Sequence, residues 1–142
     1  MFLGEYDHSI DKKGRVAIPA RLREAFGDIA VLSRGFEKCI MVYPLGEWNK
    51  VAEKLAALPI TQSKVRRINR STFSSAFQQD LDGQGRVLVP PQLRDYADIN
   101  GEVVVVGVHN YLEIWSKENW AVERAKLDEE SWQLAESVEA WR

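Results

Sequence analysis

Hydrophobic and polar positions along this chain switch between two periods, and the same succession of switches occurs twice. Residues 6–10 read as an extended stretch that ends in the polar run Asp11-Lys12-Lys13-Gly14-Arg15. Val16 and Ile18 then alternate with polar or small residues, the period of a strand with one buried face. Pro19 ends that strand and suits the first turn of a short helix over 20–26. Two apolar strands follow, over 29–33 and 39–43, and then an amphipathic helix over 45–58. A polar, basic helix is expected over 61–75. The succession then restarts: an extended stretch at 77–81, a strand holding Val87 and Val89, a short helix at 91–97, strands at 103–108 and 111–115, and a helix from 117 to about 134.

The restart is a true internal repeat. Aligning the thirteen residues from Asp11 with the thirteen from Asp82 gives seven identities at an offset of 71. Downstream the offset becomes 72, pairing Val31 with Val103, Gly35 with Gly107, Ile40 with Leu112, Tyr43 with Trp115 and Trp48 with Trp120. Self-similarity at a fixed period is read before any motif, because it decides the architecture. In each copy Asp-x-x-Gly-Arg predicts a type I turn over the two middle residues, with the glycine left-handed as a bulge. Gly14 and Gly85 suit that place because glycine takes positive φ without strain. One copy is small for an independent core. The expected fold is therefore α+β and mainly β, with both copies joined in one intertwined, β-barrel-like core and helices around it.

Composition adds bounds. The chain has 142 residues, 45% of them apolar and 28% charged, which supports a real core. No apolar run approaches a membrane span, the N-terminus lacks the pattern of a signal peptide, and Cys39 is the single cysteine. A cytoplasmic location is expected. The net charge of −2 announces no nucleic-acid partner. It is unevenly spread, however: from Lys117 to Arg142 there are seven acids against four bases, whereas the preceding residues hold fifteen bases and fourteen acids. DNA binding would need bases gathered on one face.

Several motifs together resemble the MraZ family, built on the SpoVT/AbrB-type swapped-hairpin unit. They are Met1-Phe2-Leu3-Gly4, Asp11-Lys12-Lys13-Gly14-Arg15 with Pro19, Asp82-Gly83-Gln84-Gly85-Arg86 with Pro90, Arg66-Arg67-Ile68-Asn69-Arg70, and Glu113-Ile114-Trp115. The resemblance runs from Met1 to about Trp120. It implies a transcription factor that binds short tandem DNA repeats upstream of its own division and cell-wall gene cluster. It also implies a ring-shaped homo-oligomer associated with the nucleoid. The implied organisation is a first SpoVT/AbrB-like repeat at 5–47, a helical connection at 48–75, a second repeat at 76–119 and a C-terminal helix and tail at 120–142.

Within that frame Arg15 and Arg86 are the foremost candidates for reading bases, because an arginine at a hairpin tip can bond a guanine edge in the major groove in bidentate fashion. The alternative is an ion pair with Asp11 or Asp82, compatible with function if the carboxylate aims the guanidinium. Asp11 and Asp82 join the candidate DNA-binding set, although turn formation alone accounts for aspartate there. Lys12 and Lys13 are candidate phosphate contacts. The second loop carries Gly83 and Gln84 in their place. Arg21, Arg23 and Arg94 lie on the short helices, where DNA contact and surface ion pairing are equally compatible with the sequence. Lys64, Arg66, Arg67 and Arg70 form the densest basic cluster and fit either DNA or a subunit interface. The tryptophans at 48, 115, 120, 132 and 141 fit the core or subunit contacts better than base stacking.

Enzyme chemistry finds little footing. Two histidines, His8 and His109, and one cysteine make no metal set, no phosphate-binding glycine loop is present, and no spacing singles out a nucleophile. No cofactor, small-molecule substrate or membrane is expected; the expected partners are double-stranded DNA and further copies of the chain. Two rivals stand beside this reading. One is an antitoxin-like protein-binding module using the acidic segment from Lys117. The other is a barrel enzyme with a hidden site.

Overall fold

The computed structural model describes residues 1–138; Trp141 and the end of the tail expected at 120–142 lie outside them. The first copy of the pattern forms β1 (Glu5–Ser9), β2 (Arg15–Ala17), a 3-10 turn (Ala20–Ala25), β3 (Ile29–Arg34), β4 (Ile40–Pro44) and α1 (Leu45–Ala56). After α2 (Ser63–Ser74), the second forms β5 (Phe77–Asp80), β6 (Arg86–Leu88), α3 (Pro91–Tyr96), β7 (Glu102–Val108), β8 (Tyr111–Ser116) and α4 (Lys117–Ser137). Pro19 and Pro90 immediately precede the two short helices, where the N–H that proline lacks would have no partner within the helix. Ser116 caps α4, its Oγ accepting the Asn119 N–H at 3.1 Å.

The class is α+β, as expected, and the two copies interleave. Six antiparallel strands form one sheet in the order β1-β7-β8-β4-β3-β5. Each copy's first strand thus pairs with a strand of the other copy: β1 with β7, and β5 with β3. β2 and β6 leave the sheet and pair with each other as a two-stranded ribbon. A pseudo-twofold axis relates the copies. It passes the ribbon at Val16↔Val87 and the sheet centre at Met41↔Glu113. The sheet is open, with β1 and β5 as its edges, so the barrel-like core is not a closed barrel.

The core fills the space between sheet and ribbon. Val16, Ile18, Val87 and Val89 point in from the ribbon side, and Leu22, Phe26, Leu93 and Ala97 from the short helices. They meet Leu32, Ile40, Val42, Val103, Val105, Leu112 and Ile114 of the sheet. Burying each of the larger side chains stabilises the fold by about 1.5–3 kcal/mol. Each copy supplies one strand of the ribbon and part of the sheet, so neither completes either wall alone. On the sheet's other face Val31, Met41 and Tyr43 pack under Leu45, Trp48 and Val51 of α1. Cys39 is fully buried.

Candidate nucleic-acid interface

Each Asp-x-x-Gly-Arg segment folds as its sequence predicts. Gly14 N–H donates to the Asp11 carbonyl at 3.0 Å, Asp11 N–H donates to the Arg15 carbonyl at 2.9 Å, and Gly14 has φ of 84°. The second copy repeats this, with Gly85 N–H on the Asp82 carbonyl at 2.9 Å and φ of 73°. What the local pattern did not reveal is the pairing beyond the turn. The strands on either side of each turn pair with the other copy, and across the turns themselves only the closing bonds and an isolated Leu81–Val87 bridge join the two arms. Val16 and Val87 face the core, and by alternation Arg15 and Arg86 stand on the ribbon's outer surface.

The aspartates act on their own loops. Asp11 Oδ1 accepts N–H groups from Lys13 and Arg15, both at 2.9 Å, while its Oδ2 accepts Arg15 Nε–H at 2.8 Å. Asp82 does the same with Gln84 N–H, Arg86 N–H and Arg86 Nε–H, at 2.9, 2.9 and 2.8 Å. These bonds favour the ionised carboxylate. The backbone N–H of Arg86, foremost, holds Asp82 down to about 2, and that of Arg15 lowers Asp11. The two motifs also meet. Arg15 Nη1 lies 3.6 Å from Asp82 Oδ2, and Arg86 Nη1 lies 4.0 Å from Asp11 Oδ2. Two arginines and two aspartates therefore form one symmetric cluster across the axis, each guanidinium aimed through its Nε.

Arg23 and Arg94, equivalent by the 71-residue offset, reach across to the opposite copy. Arg23 Nε–H donates to the Ile18 carbonyl at 2.8 Å, and its side chain lies over Gly85. A Cβ on Gly85 would overlap Arg23 Nε and stand 2.5 Å from its Cδ. Arg94 lies over Gly14, where a Cβ would be 3.2 Å from its Cζ. The backbone locks the same contacts: Ile18 N–H donates to the Gly85 carbonyl at 2.9 Å and Val89 N–H to the Gly14 carbonyl at 2.8 Å. Sequence spacing showed these arginines only as surface bases. The signal that pointed to their role was the repetition of arginine 9 residues after glycine in both copies.

The other expected bases are dispersed. Lys12, Lys13 and Arg21 are exposed, the two lysines at the tip of the first turn. His8 borders the same shallow depression as Arg15 and Arg86, and burial, aided by the Arg23 charge, lowers its pKa. Its neutral form is thereby favoured. Asp7 and Glu102 border that depression too. Lys64, Arg66, Arg67 and Arg70 are exposed on α2, and Arg66 Nη1 caps the Ile60 and Thr61 carbonyls at 2.9 and 3.2 Å.

Trp48, Trp115 and Trp120 pack against aromatic neighbours, as the repeat suggested, whereas Trp132 is 62% exposed on α4. Glu113 lies half-buried on the sheet face, accepting Trp115 Nε1–H at 3.0 Å, and burial raises its pKa. No helix of the described residues is long and apolar enough to cross a membrane.

Known proteins carry the same pattern. A family model described as "MraZ protein, putative antitoxin-like" matches this chain twice, over residues 1–71 and 72–138. A protein of Thermomicrobium roseum named Transcriptional regulator MraZ is 48% identical over 138 residues, 97% of either chain. One of the same name from Dehalococcoides mccartyi is 46% identical over 140 residues, 98% of this chain and 99% of its own. Another from Clostridium acetobutylicum is 50% identical over 120 residues, 84% of each. With both halves matched and near-half identity across almost the whole length, the chain belongs to the MraZ family.

Proposed function

We propose that this chain is a sequence-specific DNA-binding transcriptional regulator, not an enzyme, that reads short tandem repeats at the promoter of its own division and cell-wall gene cluster. It works from the cytoplasm on the nucleoid, as a ring-shaped homo-oligomer. Two units, 5–47 and 76–119, supply the two motifs, with 48–75 as the helical connection and 120–142 as the tail. The relatives' name, Transcriptional regulator MraZ, supports the class. The observation that carries the mode of binding is the joint cluster of Arg15, Arg86, Asp11 and Asp82 on the outer face of the ribbon.

In that mode each aspartate fixes Nε and leaves the guanidinium's terminal nitrogens to bond a guanine edge. Arg15 and Arg86 are diagonal neighbours on the ribbon, about 7–8 Å apart at the backbone. Base steps of about 3.4 Å place them roughly two steps apart along DNA. Lys12 and Lys13 hold phosphates. Asp7 and Glu102 repel them, which turns the backbone toward the lysine side. Arg21, exposed beside Met1, Phe2 and Glu24, is a further candidate phosphate contact, and Arg23 and Arg94 hold the loops beneath the motifs.

The test is selection of DNA from a random pool by the purified protein, then titration on the selected site and on scrambled DNA. Arg15→Ala or Arg86→Ala is expected to lose about 1–3 kcal/mol per engaged motif, on the selected site only. Full operator preference in the double variant would refute the motif reading and turn attention to α2. A second reading, a protein-binding module of antitoxin type, draws on the family description and on α4, which buries none of its residues. A specific footprint from the protein alone counts against it as the main role.

A further inference from the structure

Behind the sheet, away from the ribbon, α1, α2 and the β3–β4 connection enclose a groove of about 380 Å³. Its walls include Met41, Tyr43, Trp48, Val51 and Ile68, and its lip is Phe36, which is 87% exposed. The rim is basic. Ile68 and Ser71 line the groove from α2, and Lys64 and Arg67 stand one turn before them on the same strip of that helix. Arg34, stacked on the Tyr96 ring at 4.4 Å, closes another side. Within Ser63–Ser74 there are four bases and no acid.

α4 carries the opposite features. Its first half is held to the body by Trp120 against Trp115, with ring centroids 5.6 Å apart, and by Arg124 against Glu5. From residue 127 to residue 138 it has four acids and no base. Trp132 projects from this half, with Asp128, Glu129 and Glu136 at i−4, i−3 and i+4 around it. Three carboxylates thus flank the indole, Asp128 among them paired with Arg124 at 3.3 Å, and three cations stand about the apolar groove. A large exposed aromatic in a charged rim is the usual anchor of a protein contact.

We propose that Trp132 of one copy docks in the α1–α2 groove of the next, with the α4 carboxylates against Lys64, Arg67 and Arg34. This rests on the homo-oligomer reading above and names its interface. The two surfaces differ, so the contact is head to tail. Each docked pair leaves one groove and one α4 open, and copies add until the rotation closes a ring. Arg66 and Arg70 lie on the opposite side of α2 and take no part.

The experiment uses the full chain. Light scattering of wild type is expected to give several protomer masses, and Trp132→Glu and Lys64→Glu/Arg67→Glu one protomer mass, with unchanged circular dichroism. Cross-linking supplies the geometry. Cys39 is fully buried and burial raises its thiol pKa, so it stays inert. Under mild oxidation a mixture of Trp132→Cys chains with Phe36→Cys chains is expected to form a disulfide dimer that neither chain forms alone. A dimer from Trp132→Cys alone means that α4 pairs with α4, and overturns the proposal. Unchanged mass in both charge-bearing variants, with no mixed cross-link, overturns the docking and leaves the homo-oligomer standing. A wild-type monomer at every concentration overturns both. Loss of DNA affinity at unchanged mass in Lys64→Glu/Arg67→Glu gives this rim to DNA instead.

Discussion

Replacing Gly85 with alanine should cost far more than replacing its equivalent, Gly14, although both glycines occupy the same place in the same turn. Both have positive φ, which strains an alanine by about 1–2 kcal/mol. Loss of glycine's freedom in the unfolded chain returns about 0.4–1 kcal/mol. Each substitution therefore costs about 1 kcal/mol from the backbone alone. At Gly14 the new methyl meets the end of Arg94 at 3.2 Å, which a few tenths of an ångström of movement relieve. At Gly85 it collides with Nε and Cδ of Arg23, the part of that side chain fixed by its bond to the Ile18 carbonyl. Arg23 must leave, and a hydrogen bond from a charged donor is worth about 1.5–3 kcal/mol. The expectation is about 1 kcal/mol for Gly14→Ala and about 2–4 kcal/mol for Gly85→Ala. In an Arg23→Ala background the Gly85→Ala penalty should fall back to about 1 kcal/mol. Urea denaturation of the five proteins (wild type, the three single variants and Gly85→Ala/Arg23→Ala), at one fixed protein concentration because assembly shifts stability, measures all the terms. Equal costs at the two glycines, or a Gly85→Ala penalty untouched by removing Arg23, would refute the cross-copy packing.

Carbon-detected NMR titration should find the Asp82 carboxyl near pH 2, against about 3.9 for an ordinary aspartate. The folded value is the lower one, so the stability this carboxylate contributes is present above about pH 3.9 and lost as pH falls through about 2; a midpoint at the ordinary value would remove the turn bonds from the account. Lys12→Ala should weaken selected and scrambled DNA alike and reduce the salt slope by about 1, and an unchanged slope would free Lys12 of a phosphate role. Leu32→Ala, in the core, should cost about 2–5 kcal/mol in urea denaturation, whereas Leu88→Ala, 45% exposed on the ribbon, should stay within about 0.5 kcal/mol. Similar losses at the two would mean that the ribbon faces the core the other way.

Local physics wrote the parts of this fold that the sequence displays openly. The Asp-x-x-Gly-Arg turns depend on five residues each, and both formed with the expected bonds and the expected glycine φ. The starts of α1 and α4 fell where the sequence placed them, just after Pro44 and Ser116, whereas their last turns did not. Strand partners were not. A turn of hairpin type says nothing about which strand its arms pair with, and three-residue strands such as β2 and β6 carry too few side chains to specify a partner. The partner is chosen by the whole core, which needs Val16 opposite Val87 on the axis. The same long-range choice made Arg23 and Arg94 unreadable as packing groups, since each touches a loop about 60–80 residues away in sequence. For Trp132 the sequence left core and subunit contact open, and the fold excludes the core, because the helix that carries it buries none of its residues.

The interleaving of strands also sets a schedule on the ribosome. Val16 has no partner until Val87 has been made, 71 residues later, and Glu5 waits for Val106. At roughly 5–20 residues per second, the first motif emerges about 4–14 s before the strand that completes its ribbon. During that interval the nascent chain holds the first arginine and its aspartate but not the surface that presents them, and Val16 and Ile18 stay open to chaperones. A ribosome that stalls near the midpoint therefore leaves a fragment that lacks the second motif and its half of the paired surface.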